Sequence, residues 1–419
     1  MQDKKYVLDT DENREFLSQS ALALLDFGRR FPSPGGGSYY LLDDGTPDIK
    51  KNRETWITSR MAHVYSIGAM MQVNGCKALS QKAIEGLRGE LKDVKNGGWY
   101  AGLTADGKVL SDKQCYAHAF VILAASSAML AEVPEAEVLF KDAIETYDRY
   151  FWDEGEGLSC DTWNTEFTQL DDYRGLNANM HTVEAFLAAA DAKEELKDTY
   201  RRRAGRIINR VIGWAEANDY RIPEHFTSDW EPNLDKNIDK PDDPFKPYGA
   251  TPGHGIEWAR LIAQWSEAYK PSAAADNGLF KDKDYYQKSA CRLYERAVSD
   301  AWNSDGGEGL VYTTDWEGKP VVHDRMHWTL AEAINTSAVL YRLTKNERYA
   351  ADYATFMEYL DKKVLDHSCG SWYHQLDGNG ALKDTVWPGK PDIYHAFQAM
   401  LIPYLRPDVS IAKAVYDQK

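Results

Sequence analysis

Six of the ten histidines in this 419-residue sequence follow a repeat, with gaps of 55, 63, 73, 73 and 68 residues between them. The imidazole side chain has an ordinary pKa of about 6.5, so it can accept and donate a proton near neutral pH. A lone histidine on an apolar helix is usually a core residue, whereas six at a repeat period predict one pocket that holds several imidazoles. The six are His63, His118, His181, His254, His327 and His395.

Carboxylates accompany two of these histidines at helical spacing. Glu184 follows His181 by three residues and Glu257 follows His254 by three, so each pair shares one face of a helix. On an exposed face such a pair is common and carries no meaning. On a buried helix an unpaired carboxylate is costly, so we expect these glutamates to be hydrogen-bonded or functional.

An arginine and several aromatic residues lie near the same histidines. Arg60 precedes His63 by one helical turn in a mostly apolar stretch, where a guanidinium requires a carboxylate, a phosphate or a hydroxyl-rich ligand. For Arg60, a structural ion pair with a glutamate and contact with a ligand are both open alternatives. Aromatic rings near the predicted helix starts could stack on the C–H face of a sugar or pack in the core. They are Trp56, Tyr116, Trp328 and Trp387.

Helices of two kinds must position these side chains. Residues 282–302 have apolar and charged residues on opposite faces, as an outer helix does, whereas residues 114–131 are apolar or small nearly all round, as an inner helix is. Twelve such patterns alternate between outer and inner. They lie near residues 11–31, 53–74, 77–92, 113–131, 134–151, 178–193, 195–217, 254–270, 282–302, 327–343, 346–365 and 391–405.

Short β-prone runs around Asp-Gly or Glu-Gly pairs recur between these helices. Such a pair predicts a hairpin with a type I′ turn, whose two central residues both have positive φ. Six outer helices, six inner helices and the intervening hairpins predict an all-α (α/α)6 barrel with hairpins at one end. We expect one domain over residues 1–419, because no linker supports the alternative of two α-helical domains. The pairs are Asp44-Gly45, Asp106-Gly107, Glu317-Gly318 and Asp377-Gly378.

Composition excludes several classes of partner. The net charge of −16 disfavours nucleic acid and anionic membranes. No apolar run approaches the roughly 18 to 20 residues that span a bilayer, and the first residues lack the apolar core of a secretory signal, so we expect a cytoplasmic protein. The five cysteines form no CxxC pair, and we expect reduced and mostly buried thiols.

Metal and nucleotide motifs are lacking in the sequence. It contains no HExxH motif and no glycine-rich phosphate loop between a strand and a helix. We therefore expect no metal and no cofactor. One alternative is a metal ion that bridges His254, Glu257 and another histidine.

Several of these segments together resemble the N-acylglucosamine 2-epimerase superfamily, and within it the aldose–ketose isomerases. The likeness runs from about residue 15 to residue 405, and the combination of motifs is specific although each alone is not. The segments are WITSRMAHVYS (56–66), GGWY (97–100), DYRGLNANMHTVEAF (172–186), TPGHGIEWARL (251–261), GLVYTTDWEGKPV (309–321) and DIYHAFQAMLIP (392–403).

The resemblance implies an (α/α)6 barrel that interconverts sugars through a cis-enediol without a cofactor or a metal. It implies that His254 and His395 are the acid/base pair, that Arg60 and neighbouring donors stabilise the enediolate, and that Trp328 and Trp387 stack on the sugar. A monosaccharide is the expected ligand, and the oligomeric state stays open. The predicted binding residues are Trp56, Arg60, Tyr116, Asn177, His181, Glu257, Trp328, Glu332, His374 and Trp387.

Departures from the family pattern indicate which branch is closer. Sulfoquinovose isomerases carry an arginine in the stretch before TPGH and glutamine just before DIYH, both suited to a sulfonate. This sequence has Pro244, Lys246 and Pro391 in these stretches, and His374 where that branch tends to have glutamine. These differences favour a neutral sugar. We therefore expect isomerisation of D-mannose to D-fructose, with D-lyxose to D-xylulose as a related reaction that shares the C2 configuration.

Four other functions remain as alternatives to that prediction. A sulfoquinovose isomerase, or a 2-epimerase of N-acetylglucosamine or a disaccharide, would use the same first proton abstraction. An inverting glycoside hydrolase would use two carboxyl groups roughly 6.5 to 9.5 Å apart, chosen from Glu184, Glu257 and Glu332. A non-catalytic barrel that binds sugars or proteins would use the histidines only as hydrogen bonders.

Overall fold

Thirteen α-helices lie within residues 6–418, the part of the chain that the computed structural model describes. In chain order they are α1 (Asp11–Gly28), α2 (Thr55–Met70), α3 (Cys76–Arg88), α4 (Cys115–Leu130), α5 (Ala136–Tyr150), α6 (Leu176–Ala192), α7 (Lys197–Ala217), α8 (Pro252–Tyr269), α9 (Lys283–Ala301), α10 (His327–Thr344), α11 (Glu347–Tyr359), α12 (Tyr394–Ala399) and α13 (Ile411–Tyr416).

Six of these helices form a closed inner ring. Helix α2 packs against α4, α4 against α6, α6 against α8, α8 against α10, and α10 against α12, which closes the ring on α2. The outer helices α1, α3, α5, α7, α9 and α11 each pack on an inner helix that is adjacent in sequence. The protein is therefore an (α/α)6 barrel, as the alternating patterns predict.

Burial follows the two kinds of sequence pattern. Helix α4 is buried along nearly its whole length, whereas α9 buries one stripe that includes Tyr286, Leu293 and Ala297. Local residues set where helices start: Thr10 accepts a hydrogen bond from the Asn13 N–H ahead of α1, and Pro252 opens α8 where a missing N–H costs nothing.

The sixth inner helix is shorter than predicted. The pattern predicts a helix near 391–405, but α12 ends at Ala399 and a 3-10 turn, Ile402–Tyr404, follows it. Pro403 has no N–H to continue the helical ladder, so the chain tightens before it. The sequence also did not predict α13, which packs against α2, α4 and α6. Helix α11 continues into one π-helical turn, Leu360–Val364.

Short strands precede most inner helices and tie neighbouring repeats together. Arg53–Glu54 pairs with Gly102–Leu103, Lys113–Gln114 with Thr162–Trp163, Arg174–Gly175 with His225–Phe226, and Arg325–Met326 with Gln375–Leu376. These pairs hold the starts of the inner helices in register. The remaining strands are Tyr40–Leu41, Pro47–Asp48, Val109–Leu110, Trp152–Asp153, Leu158–Ser159, Thr313–Thr314, Pro320–Val322, Leu365–Asp366 and Ser371–Trp372.

The predicted hairpins form at the expected places, but the prediction of type I′ turns is wrong. At each turn only one residue, a glycine, has positive φ, and its N–H donates to the carbonyl three residues earlier. This is a type I turn followed by a left-handed glycine. In the last turn the position belongs to Gly380 rather than Gly378. A single left-handed residue suffices, because the turn has one more residue than a two-residue hairpin loop.

The described chain has neither a candidate membrane-spanning helix nor a disulfide. No helix within residues 6–418 is long and apolar enough to cross a bilayer. All five cysteines are free, but only Cys76 and Cys115 are buried and the other three are half-buried, so the expectation of mostly buried thiols is wrong.

Candidate active site

A cavity of about 490 Å³ opens at the end of the barrel where the inner helices begin. Hairpin and loop residues, including Leu110, Thr162, Phe245 and Tyr312, form its walls. The predicted site residues that line it are Trp56, Arg60, Tyr116, Asn177, His181, His254, Glu257, Trp328, His374, Trp387 and His395.

Four of the six repeated histidines face this cavity, namely His181, His254, His327 and His395, and the loop residue His374 joins them. His374 stacks on His327 with ring centroids 3.6 Å apart. Burial lowers the pKa of His327 to about 4 and that of His374 well below its ordinary value, so both rings are neutral near pH 7.

The other two repeated histidines lie outside the cavity lining, so the repeat places four of its six histidines in the pocket and not all six. His63 is in the third turn of α2, where its Nδ1 lies 2.7 Å from the Ser127 hydroxyl. His118 accepts a hydrogen bond from the Trp99 N–H at 3.1 Å. His63 lies too deep in its helix, whereas His118 is in the first turn of α4 but its ring packs against Trp99.

These two buried histidines predict a loss of stability in mild acid. Burial lowers the pKa of His63 to about 4 and that of His118 to about 3, from 6.5. Because the unfolded chain takes up these protons first, the free energy of unfolding should fall as pH drops below about 6.5. The slope should be about 1.4 kcal/mol per pH unit for each histidine.

Urea unfolding across this pH range would test the prediction, with His118→Gln as the comparison. Glutamine can still accept from the Trp99 N–H but does not titrate, so the variant should lose stability less steeply than the wild type. Equal slopes for the two proteins would contradict it.

His395 lies in a cluster of buried charges. Its Nδ1 is 3.2 Å from Glu332 Oε1, and its Nε2 is 3.4 Å from an Arg60 guanidinium nitrogen. Arg60 also donates to Asp392 at 3.2 Å and to the Tyr116 hydroxyl at 3.0 Å. Burial and the Arg60 charge hold the pKa of His395 well below its ordinary value, so this imidazole is neutral.

Glu332 differs from the prediction, because it does not line the cavity. It is fully buried on α10, beneath His395, and its Oε2 accepts from Arg260 Nε at 2.8 Å. Another nitrogen of Arg260 lies 3.4 Å from Glu257 Oε1. Burial and the nearby Glu332 raise the pKa of Glu257 well above its ordinary value. Arg260 is therefore the cation that pairs with Glu332, while Glu257 favours its neutral form.

The carboxylate beside His254 is not the one that the spacing suggests. Glu257 turns to Arg260, whereas His254 Nδ1 lies 3.0 Å from Glu224 Oε2. Glu224 comes from the stretch just before the strand His225–Phe226 and is 5% exposed. Trp328 lies between the two predicted catalytic imidazoles, with ring centroids 5.0 Å from His254 and 6.0 Å from His395.

The predicted His181–Glu184 pair is present on α6. His181 Nδ1 lies 3.3 Å from Glu184 Oε2, which also accepts from the Tyr394 hydroxyl. Although burial opposes ionisation, the hydrogen bonds from His181 and Tyr394 help hold the pKa of Glu184 well below its ordinary value. One turn earlier, Asn177 Oδ1 is buried without a hydrogen-bond partner among residues 6–418 and is free to accept from a ligand.

Three buried groups could together approach a metal ion. Ligand atoms of His181, Glu184 and Glu257 all lie within 4.8 Å of one another. Each already has a protein partner, since Gln398 donates to Glu184 at 3.3 Å and Arg260 lies against Glu257. The alternative set that the sequence left open is not brought together among the described residues, because His254 is not part of this group.

Comparison with known proteins places this chain in a family. The sequence profile of N-acylglucosamine 2-epimerase (GlcNAc 2-epimerase) matches residues 36–399. The chain belongs to the N-acylglucosamine 2-epimerase family. D-mannose isomerase of Pseudomonas cannabina pv. alisalensis is 38% identical over 411 residues, 97% of this chain and 96% of that protein.

Two further relatives agree with this assignment. D-mannose isomerase of Thermobifida fusca is 38% identical over 406 residues, 96% of this chain and 97% of that protein. A crystal structure of D-mannose isomerase has a TM-score of 0.83 and 27% identity, and the match covers 97% of this chain and 98% of that chain.

Sequence reasoning missed several cavity residues of this member of the N-acylglucosamine 2-epimerase family. Asp161 and Tyr173 lie on loops before α6, and Phe245, which is 68% exposed, contacts Trp387 at 5.8 Å between ring centroids. Burial raises the pKa of Asp161 to about 6. These loop residues carry no helical period, and only the fold brings them to the cavity.

Proposed function

We propose that this protein is an aldose–ketose isomerase that converts D-mannose to D-fructose. The observation that carries the proposal is the pair His254 and His395, which face one cavity and each contact a buried carboxylate through Nδ1. Two imidazoles held in this way suit proton transfer to and from a bound sugar. The D-mannose isomerases that match nearly the whole chain support the choice of substrate.

The reaction needs a base at C2, a proton delivered at C1 and an exchange of protons between O1 and O2. We assign the C2 base to His254, because its Nε2 has no hydrogen-bond partner in the described chain. The Nε2 of His395 instead contacts the Arg60 guanidinium at 3.4 Å, so His395 is placed to move protons between the two oxygens. Arg60 would stabilise the negative charge that develops on the enediolate.

The charge of the cavity favours a neutral sugar over an anionic one. Its lining contains the carboxyl groups of Glu54, Asp112 and Asp161, while the Arg60 guanidinium is already paired with Asp392. Lys246 packs against the Tyr173 ring, with its nitrogen 3.8 Å from the ring centroid. A sulfonate or phosphate would meet more acidic than basic groups here, which supports mannose rather than sulfoquinovose.

Proton NMR of EDTA-treated protein with D-mannose in D₂O tests the proposal. We expect D-fructose that carries deuterium at C1, because the proton taken from C2 exchanges with solvent before it returns. Glucose as the main early product would instead indicate 2-epimerisation. Turnover of sulfoquinovose or N-acetylglucosamine without turnover of mannose would contradict the substrate. No reaction with mannose, sulfoquinovose or N-acetylglucosamine would contradict the proposal that the protein is an isomerase.

A further inference from the structure

Glu224 is the buried carboxylate nearest to His254, and it lies outside the cavity lining. Its Oε2 is 3.0 Å from His254 Nδ1. Its other oxygen, Oε1, is buried and has no hydrogen-bond partner among residues 6–418. Such a carboxylate loses its hydration on burial, and no lysine or arginine of the described chain pairs with it to offset that loss. This is unusual for a purely structural group.

The backbone around Glu224 is held from two sides. The Glu224 carbonyl accepts from the Leu176 N–H at the start of α6. The next residue, His225, is hydrogen-bonded to the Tyr173 hydroxyl at 2.8 Å and to the Pro247 carbonyl at 2.9 Å. These contacts of the Glu224 carbonyl and the His225 side chain leave the Glu224 carboxylate little freedom to turn away from His254.

This contact fixes the tautomer of His254. An ionised carboxylate only accepts hydrogen bonds, so Nδ1 must carry the proton and Nε2 must carry the lone pair. The corresponding contact at His395 differs in charge, because Glu332 is shared with Arg260 and its negative charge is already neutralised. The Glu224 charge is therefore available to an imidazolium that forms at His254.

We propose that Glu224 is a positioning residue that orients His254 and raises its affinity for the C2 proton. This inference rests on the proposed isomerase function. The titratable groups that face the pair are His181 from α6, Tyr173 and His225 from the paired segments before α6 and after α7, and Tyr312 from the wall of the cavity.

The test is Glu224→Gln, which keeps the shape of the side chain and removes its charge. We expect kcat for D-mannose to fall roughly 10²- to 10⁴-fold, as when the carboxylate behind a catalytic histidine is neutralised, with KM nearly unchanged. The acid limb of the kcat profile should move to lower pH, because an imidazolium that forms at His254 would then lack the negative charge beside it. Glu231→Gln, an exposed change in the same loop, is the matched control.

Two results would contradict the proposed role of Glu224 without contradicting the proposed isomerase function. One is wild-type kcat and an unmoved pH profile in a folded Glu224→Gln protein. The other comes from the wild type itself: nitrogen-15 NMR of its histidines should assign His254 to the Nδ1–H tautomer, and the Nε2–H tautomer would contradict the proposal even if the variant does not fold. Failure of the wild type to turn over any sugar would reject the isomerase function instead.

Discussion

Replacing His254 or His395 with alanine is expected to reduce the turnover of D-mannose by at least about a hundredfold in each case. Both rings face the cavity, and each variant removes one of the two groups that move protons in the proposed reaction. Sugar binding should persist, because Arg60, Asn177 and His181 remain in place. Steady-state kinetics and isothermal titration with D-mannose measure the two effects separately.

His118→Gln is the matched control for these variants. His118 is a histidine at the equivalent point of the repeat, but it bonds to the Trp99 N–H and does not line the cavity. Its replacement should leave kcat per folded molecule unchanged. Unchanged turnover in either alanine variant would remove that histidine from the mechanism. Intact binding with lost turnover would exclude a non-catalytic sugar-binding barrel.

The second large effect is on stability, and it concerns Arg260. Replacing Arg260 with methionine should lower the free energy of unfolding by about 3–5 kcal/mol, because it leaves the buried Glu332 carboxylate without its cation. Activity should fall as well, since Glu332 also contacts His395. Urea denaturation followed by circular dichroism measures the stability change.

Arg348→Met is the comparison for that change. Arg348 pairs with Glu295 at 3.5 Å, and both side chains are more than a third exposed, so its loss should cost less than about 1 kcal/mol. Equal losses in the two variants would show that the buried cluster has no special importance. Adding Glu332→Gln to Arg260→Met should recover part of the stability, because the uncompensated carboxylate is then neutral.

Local patterns in the sequence determined the architecture. The uniformly apolar stretch that became α4 cannot face water, and the one-sided stripe of α9 cannot be buried on all faces, so alternating inner and outer helices follow from burial alone. Most of the predicted cavity residues are also found there, because inner helices that run in the same direction present their first turns at one end of the barrel.

Only the tertiary structure decided which groups meet. Spacing paired His254 with Glu257, but the fold brings Glu224 from thirty residues earlier and turns Glu257 to Arg260. Spacing also treated His63 and His118 as equals of His395, although they lie outside the cavity lining. Helical periodicity specifies the face of a helix, whereas depth along the barrel and contacts between segments depend on where each helix starts and on how distant loops pack. The physical reason is that hydrophobic burial is non-directional and can be read locally, while the partner of a buried charge is set by three-dimensional proximity.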